Sequence, residues 1–93
     1  MASDTIKRNL IAVNHEFTSS LTSGSIGQRC AQLSFTSPYP ASKLVGIVIT
    51  AISDSNGVNP LVFVNGETIY CNFYRASTSA ANATVWARMV YES

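Results

Sequence analysis

Histidine and cysteine are scarce in this chain, and their scarcity excludes most nucleophilic and metal chemistry. The single histidine, His15, would be the only base available to a serine or cysteine hydrolase. It alternates with Val13 and Phe17, a pattern typical of a packed side chain. The two cysteines, Cys30 and Cys71, do not have zinc-ligand spacing with each other or with the histidine, so no metal site is predicted.

Acidic residues are few, and their positions do not suggest catalysis. Asp54 and Glu67 lie in or beside predicted turns, where carboxylates are ordinarily solvated, and they do not form the facing pair that a glycosidase needs. Gly24 and Gly27 lack the spacing and the following helix of a phosphate-binding loop. The sequence therefore predicts a protein that is not an enzyme and that uses no cofactor.

Basic residues are scattered along the chain, and the formal net charge is +1. Nucleic-acid binding needs a patch that neutralises several phosphates, whereas only Lys7 and Arg8 are adjacent. No run approaches the roughly 18 apolar residues of a membrane span. Neither nucleic-acid binding nor membrane insertion is predicted.

Low charge combines with high apolar content. Charged residues make up 12% of a chain that is 46% hydrophobic, against about 25% charged in ordinary soluble domains. The length of 93 residues predicts one domain, spanning 1–93, with little interior to shelter that apolar surface. Either both sides of the strands are buried within the domain, or an outer face of the domain is buried against other copies of the chain. We expect the second, a homo-oligomer.

Short β-rich runs separated by turn residues make up most of the sequence. Apolar and polar residues alternate within them, and no long segment clearly has the helical period. This pattern predicts an all-β fold, an antiparallel sandwich or barrel, of which a small jelly-roll-like β-sandwich is the form we expect. The predicted strands are Leu10–Thr18, Gln28–Thr36, Lys43–Ser53, Leu61–Val64, Glu67–Arg75 and Ala83–Tyr91.

The dipeptide Asn65-Gly66 gives the most specific local prediction. Both residue types tolerate positive φ, as the two central positions of a type I′ turn require. We therefore expect a two-residue hairpin between the runs Leu61–Val64 and Glu67–Arg75.

The run Lys43–Ser53 is apolar on both sides. Val45, Ile47, Ile49 and Ala51 would form one face, and the opposite face is also largely apolar. Such a strand is predicted to be buried on both sides, under a second layer or at a subunit contact.

Strand alternation also assigns the cysteines to different environments. Cys71 shares a predicted core face with Ile69 and Phe73, whereas Cys30 lies with the neighbouring glutamines on a wetter face. A disulfide needs Cα atoms within about 7 Å and converging side chains. Two free thiols are therefore predicted.

The segment Thr5–Phe17 is ambiguous. Ile6, Leu10, Val13 and Phe17 have heptad-like spacing, which favours a short N-terminal helix. The residues from Leu10 to Thr18 also alternate as a strand, and β-branched residues and asparagines favour that interpretation. Residues 1–18 are also a candidate N-terminal arm or shaft connection.

Four side chains form the candidate binding surface. Tyr70 and Tyr74 share one side of their predicted strand, and Trp86 and Arg88 share one side of the last strand. If these strands are neighbours, the rings, hydroxyls and guanidinium make one surface, suited to stacking on sugar rings. The same residue types are enriched at subunit interfaces, and packing on another subunit is the favoured interpretation.

Three segments resemble C-terminal domains of bacteriophage tail-fibre and baseplate proteins. They are residues 43–50 (KLVGIVIT), 70–74 (YCNFY) and 83–91 (ATVWARMVY), within a similarity that covers about residue 24 to the end. Residues 84–87 (TVWA) also resemble the last strand of H-type lectins, which have a similar small sandwich.

The resemblance implies a β-sandwich module, usually trimeric, at the tip of a virion appendage that contacts host-surface carbohydrate. It implies a virion protein assembled in the bacterial cytoplasm beside other virion proteins. The alternatives are a purely structural virion component, such as a capsid decoration or tail assembly protein, and an H-type-lectin-like sugar-binding module. Family members usually carry an N-terminal shaft or anchoring domain, to which at most residues 2–18 correspond here.

Overall fold

Strands make up most of the structure, a computed structural model that describes residues 9–93. The all-β prediction is confirmed, and each of the six predicted strands is present. No helix in this part of the chain is long and apolar enough to cross a membrane. The strands are β1 (Leu10–Ser20), β2 (Arg29–Thr36), β3 (Leu44–Ile52), β4 (Val58–Asn65), β5 (Thr68–Arg75) and β6 (Asn82–Glu92), and a 3-10 turn (Ala41–Lys43) precedes β3.

The strand interpretation of Leu10–Thr18 is confirmed, because this segment lies within β1 and pairs with β6 along its whole length. The rest of the predicted N-terminal helix and the first eight residues of the predicted arm (1–18) lie outside the described residues, and the arm from Leu10 onward belongs to β1.

The strands form two three-stranded antiparallel sheets that pack as a small sandwich. Sheet I has the order β1–β6–β3, and sheet II has the order β2–β5–β4. Among these strands, only β4 and β5 are consecutive in sequence and paired with each other. Every other connection crosses from one sheet to the other.

The core lies between the two central strands, β6 and β5. On β6, the side chains of Ala83, Val85, Ala87, Met89 and Tyr91 alternate inward and are almost fully buried. The Tyr91 hydroxyl, at the rim of the core, is hydrogen-bonded to Ser37 Oγ at 2.7 Å, so its polar group is not left unpartnered. The inward residues of β5 are Ile69, Cys71 and Phe73, as their alternation predicts.

The predicted face of β3 is confirmed for Ile47 and Ile49 and wrong for Val45 and Ala51. Register shifts between Leu44 and Gly46 and between Ile49 and Ala51 interrupt its pairing with β6. Each irregularity inserts an extra residue and reverses the alternation, so Val45 and Ala51 are exposed. The residues that pack against the core are Leu44, Ile47, Ile49 and Ile52.

The predicted position of Cys30 is also wrong. A register shift between Arg29 and Ala31 turns Cys30 inward, where it is 3% exposed and its thiol donates to the carbonyl oxygen of Phe73 at 3.3 Å. Both cysteines are nevertheless free thiols, as predicted. Burial raises the pKa of the Cys71 thiol to about 12, so this thiol stays protonated and unreactive at neutral pH.

The hairpin between β4 and β5 forms one residue later than predicted. Asn65 pairs with Thr68, so the central positions of the turn are Gly66 and Glu67. Gly66 has φ of 62°, and no non-glycine residue among the described ones has positive φ. Positive φ at the first central position alone fits a type II′ turn and not the type I′ turn expected from Asn65-Gly66.

Candidate binding site

The four predicted surface residues lie on opposite sides of the molecule. β5 belongs to sheet II and β6 belongs to sheet I, and the inward sides of these strands face each other across the core. Tyr70 and Tyr74 therefore point outward from sheet II, whereas Trp86 and Arg88 point outward from sheet I. The strands follow one another in sequence but are not neighbours in a sheet, so the single surface of all four side chains does not form.

The outer side of sheet II carries a pair of stacked rings. Phe63 of β4 lies directly opposite Tyr70 of β5. Their ring centroids are 5.2 Å apart and their planes differ by 15°. Phe63 was not among the predicted site residues, although its alternation with Leu61 and the hairpin together could have identified it.

Asn72 lies between Tyr70 and Tyr74 on the same outer side and is only 6% exposed. Its Nδ2 donates to the Tyr74 hydroxyl at 3.2 Å, which positions that phenol on the face. Its Oδ1 is buried and has no hydrogen-bond partner. Its cross-strand neighbours are Gln32 and Leu61. The aromatic–amide face consists of Gln32, Leu61, Phe63, Tyr70, Asn72 and Tyr74.

The outer side of sheet I has a different character. Val48 is 55% exposed and Trp86 is 38% exposed. Arg88 lies opposite Val48, and its Nε donates to Asn14 Oδ1 at 3.0 Å. The aliphatic face consists of Val45, Val48, Ala51 and Trp86, with Arg88 beside it.

A polar cleft of about 370 Å³ lies at one end of the sandwich, between the turn after β3 and the loop from β5 to β6. The carboxylate of Asp54 lines it together with the amides of Asn56 and Asn82. The hydroxyls of Ser77 and Ser79, 3.0 Å apart, also line it. Asp54 was predicted to be a solvated turn residue and the cleft was not predicted, because only the fold brings the two loops together.

Arg75 anchors the loop that forms one wall of this cleft. Its guanidinium is 3% exposed and is held by backbone carbonyls. Nε and Nη2 donate to the carbonyl of Thr22 at 2.9 and 2.6 Å, and Nη1 donates to the carbonyls of Ser77 and Ala80 at 2.9 and 3.1 Å. No local sequence signal distinguishes this arginine from a surface one, because its partners are main-chain carbonyls of the following loop and of Thr22.

His15 is a packing residue on the inner side of β1. Its ring stacks on Phe35 with centroids 3.7 Å apart, and it meets the ring of Phe17 edge-on at 4.6 Å. Desolvation lowers the pKa of His15, and the nearby Glu16 carboxylate partly offsets this effect. Within residues 9–93, no three histidine, cysteine, aspartate or glutamate side chains are grouped as metal ligands would be.

Comparisons with protein-family models, curated proteins and solved structures gave no match to this chain. The resemblances to phage appendage domains and to H-type lectins stay predictions.

Proposed function

We propose that this chain is a non-catalytic carbohydrate-binding domain of a virion, at the tip of a phage tail fibre or baseplate protein. In this proposal it contacts host-surface glycans and works as a homo-oligomer, with a trimer favoured. The β-sandwich fold is compatible with the resemblances described above, and the segments 43–50, 70–74 and 83–91 support the phage assignment.

The observation that carries the proposal is the aromatic–amide face. Rings stack on the C–H side of sugar rings, while phenol and amide groups hydrogen-bond to sugar hydroxyls. The near-parallel rings of Phe63 and Tyr70, and the Tyr74 hydroxyl held by Asn72, combine both kinds of contact on one side of a rigid sheet. Half-buried aromatic rings lose little conformational freedom when a ligand binds.

Asn72 adds a second argument. Its unpartnered Oδ1 costs the fold about 1–3 kcal/mol. A hydrophobic residue of similar volume would avoid this cost at a position that is already buried. A ligand hydroxyl that reached Oδ1 would supply the missing donor.

A matched pair of variants tests the proposal on an array of bacterial surface polysaccharides. Tyr70→Ala removes a ring from the aromatic–amide face, and Trp86→Ala removes a larger ring from the opposite side. We expect Tyr70→Ala to lose binding while it stays folded and keeps the oligomeric state, with a thermal midpoint only a few degrees lower because one stacked ring is lost. We expect Trp86→Ala to keep the affinity of each binding site. The proposal is wrong if the wild-type chain binds no polysaccharide, or if Tyr70→Ala binds as the wild type does.

The second candidate function is a purely structural virion component, and the aliphatic face favours it. Exposed Val45, Val48 and Trp86 form an apolar area on one side of a sheet, where an assembly contact would bury them. Under this alternative Trp86→Ala weakens assembly and neither variant affects polysaccharide binding, because the wild type has none.

A further inference from the structure

We infer that the polar cleft beside Asp54 binds a single neutral sugar unit, as a second subsite of the proposed carbohydrate-binding function. This inference rests on that function and names a site separate from the aromatic–amide face. The volume of about 370 Å³ lies at the small end of the range of ligand sites, about 300–1,000 Å³.

The lining matches a ligand with several hydroxyl groups. The Asp54 carboxylate accepts hydrogen bonds through two oxygens, which suits two adjacent hydroxyls of a sugar. The amides of Asn56 and Asn82 both donate and accept, and the hydroxyls of Ser77 and Ser79 do the same. The carboxylate disfavours an anionic ligand, and a single carboxylate is a poor set of ligands for a divalent cation.

Both walls of the cleft are fixed before a ligand arrives. The turn after β3 is closed by hydrogen bonds from the backbone N–H groups of Gly57 and Val58 to the carbonyl of Asp54, at 3.0 and 3.2 Å. The Ala76 N–H joins the two walls by donating to the carbonyl of Gly57 at 2.9 Å. Arg75 holds the opposite loop from behind. A site ordered in this way loses little entropy on binding.

Gly57 shows how closely the walls approach each other. A Cβ atom at this position would lie 2.8 Å from Ala80 Cβ and would overlap the Asp54 carboxylate. Only glycine at position 57 leaves the Asp54 carboxylate in place at the cleft. The position of this hydrogen-bond acceptor therefore depends on Gly57.

The cleft is close to the aromatic–amide face along the chain. Tyr74 and Ser77 are three residues apart, which limits their separation to about 10 Å. The cleft therefore lies beyond the end of β5 that carries Tyr74.

Nuclear magnetic resonance titration of the ¹⁵N-labelled chain tests this inference. The probes are glucose, galactose, mannose, fucose and N-acetylglucosamine, each added to about 100 mM because a single sugar unit is expected to bind with a Kd of millimolar order. We expect at least one sugar to shift the backbone amide signals of Asn56, Gly57, Ser77 and Ser79 with saturation.

Asp54→Asn is the test variant, since it keeps the shape and removes the charged acceptor. We expect its Kd to rise about tenfold or more, because hydrogen bonds to a charged group are stronger than neutral ones. Glu16→Gln is the matched control, which removes a carboxylate from exposed β1 and leaves the Kd unchanged. If Asp54→Asn lowers the thermal midpoint, Asn56→Ala replaces it, because Asn56 is exposed in the turn.

The outcomes separate the two proposals. Saturable shifts confined to the amides around Tyr70 and Tyr74 overturn the cleft and leave the carbohydrate function standing. The absence of saturable shifts with all five sugars, or an Asp54→Asn Kd equal to that of the wild type, also overturns the cleft. If the wild-type chain binds polysaccharide and Tyr70→Ala does not, the aromatic–amide face is still supported in each of these cases.

Discussion

The two outer faces of the sandwich differ although the strands behind them share one core. Sheet I presents exposed Val48 and Trp86 beside polar residues of β1 such as Asn14 and Glu16, whereas sheet II presents stacked rings and a buried amide. The apolar part of the first surface is suited to contact with another protein. The second combines rings with hydrogen-bonding groups, as a surface for polar ligands does. Under the proposed function, the first side would serve assembly and the second would serve recognition.

The largest expected effect comes from a core residue that supports both sheets. Phe73→Ala empties a fully buried position in the core, and we expect the free energy of unfolding to fall by about 3–5 kcal/mol. Phe63→Ala removes the same ring from the outer side of sheet II and should cost about 1 kcal/mol. Chemical denaturation of both variants measures the contrast, and equal losses would mean that the outer face is part of a buried contact.

The next prediction separates assembly from recognition. Val48→Asp places a charge in the aliphatic face opposite Arg88, where the isolated fold tolerates it within about 0.5 kcal/mol. We expect light scattering to show an oligomer for the wild type and a folded monomer for Val48→Asp.

Ser34→Asp is the control for this comparison, because it adds the same charge to the outer side of sheet II. It should leave the oligomer intact. A wild-type chain that is a stable monomer of about 10 kDa at micromolar concentration would contradict assembly through sheet I.

A smaller effect is expected from Asn72→Leu. Leucine has the same number and branching of side-chain heavy atoms and removes the unpartnered oxygen, so the free energy of unfolding should stay unchanged or rise by about 1 kcal/mol. Polysaccharide binding should fall, because the hydroxyl of Tyr74 loses its support. A variant that is less stable than the wild type would show that Asn72 has a structural role.

The smallest effect concerns pH. Burial lowers the pKa of His15, so the folded chain binds fewer protons than the unfolded chain between that lowered pKa and about 6.5. The free energy of unfolding should therefore be highest above about pH 7 and should fall as the pH is lowered through this interval.

His15→Phe keeps a ring against Phe35 and removes the titration. Denaturation at about pH 7.5 and about pH 5 should show a smaller loss of stability in the variant than in the wild type. Equal losses would mean that the histidine does not contribute to the pH dependence.

Sequence periodicity was sufficient to predict the strands and the core faces of β5 and β6, because alternation there is uninterrupted. It failed at Cys30 and at the two ends of β3, where a register shift changes the side that the neighbouring residue faces. Nothing in the residue types marks these positions, since the irregularities depend on pairing with a distant strand.

The candidate site was also predicted only in part. Tyr70 and Tyr74 were correctly assigned to one side of a strand, but their partners on the face depend on sheet order. The chain reaches Trp86 only after crossing to the other sheet, whereas Phe63 joins Tyr70 through the hairpin. The cleft at Asp54 was not predicted, because two loops far apart in sequence form it.

The position of β6 also determines the order in which the chain folds during synthesis. β6 is the central strand of sheet I and the last of the six, so β1 and β3 have no partner in that sheet until it leaves the ribosome. The β4–β5 hairpin needs only local contacts and is expected to form first. A nascent chain that stops before residue 82 exposes two unpaired apolar strands, and we expect it to aggregate with other unfinished chains.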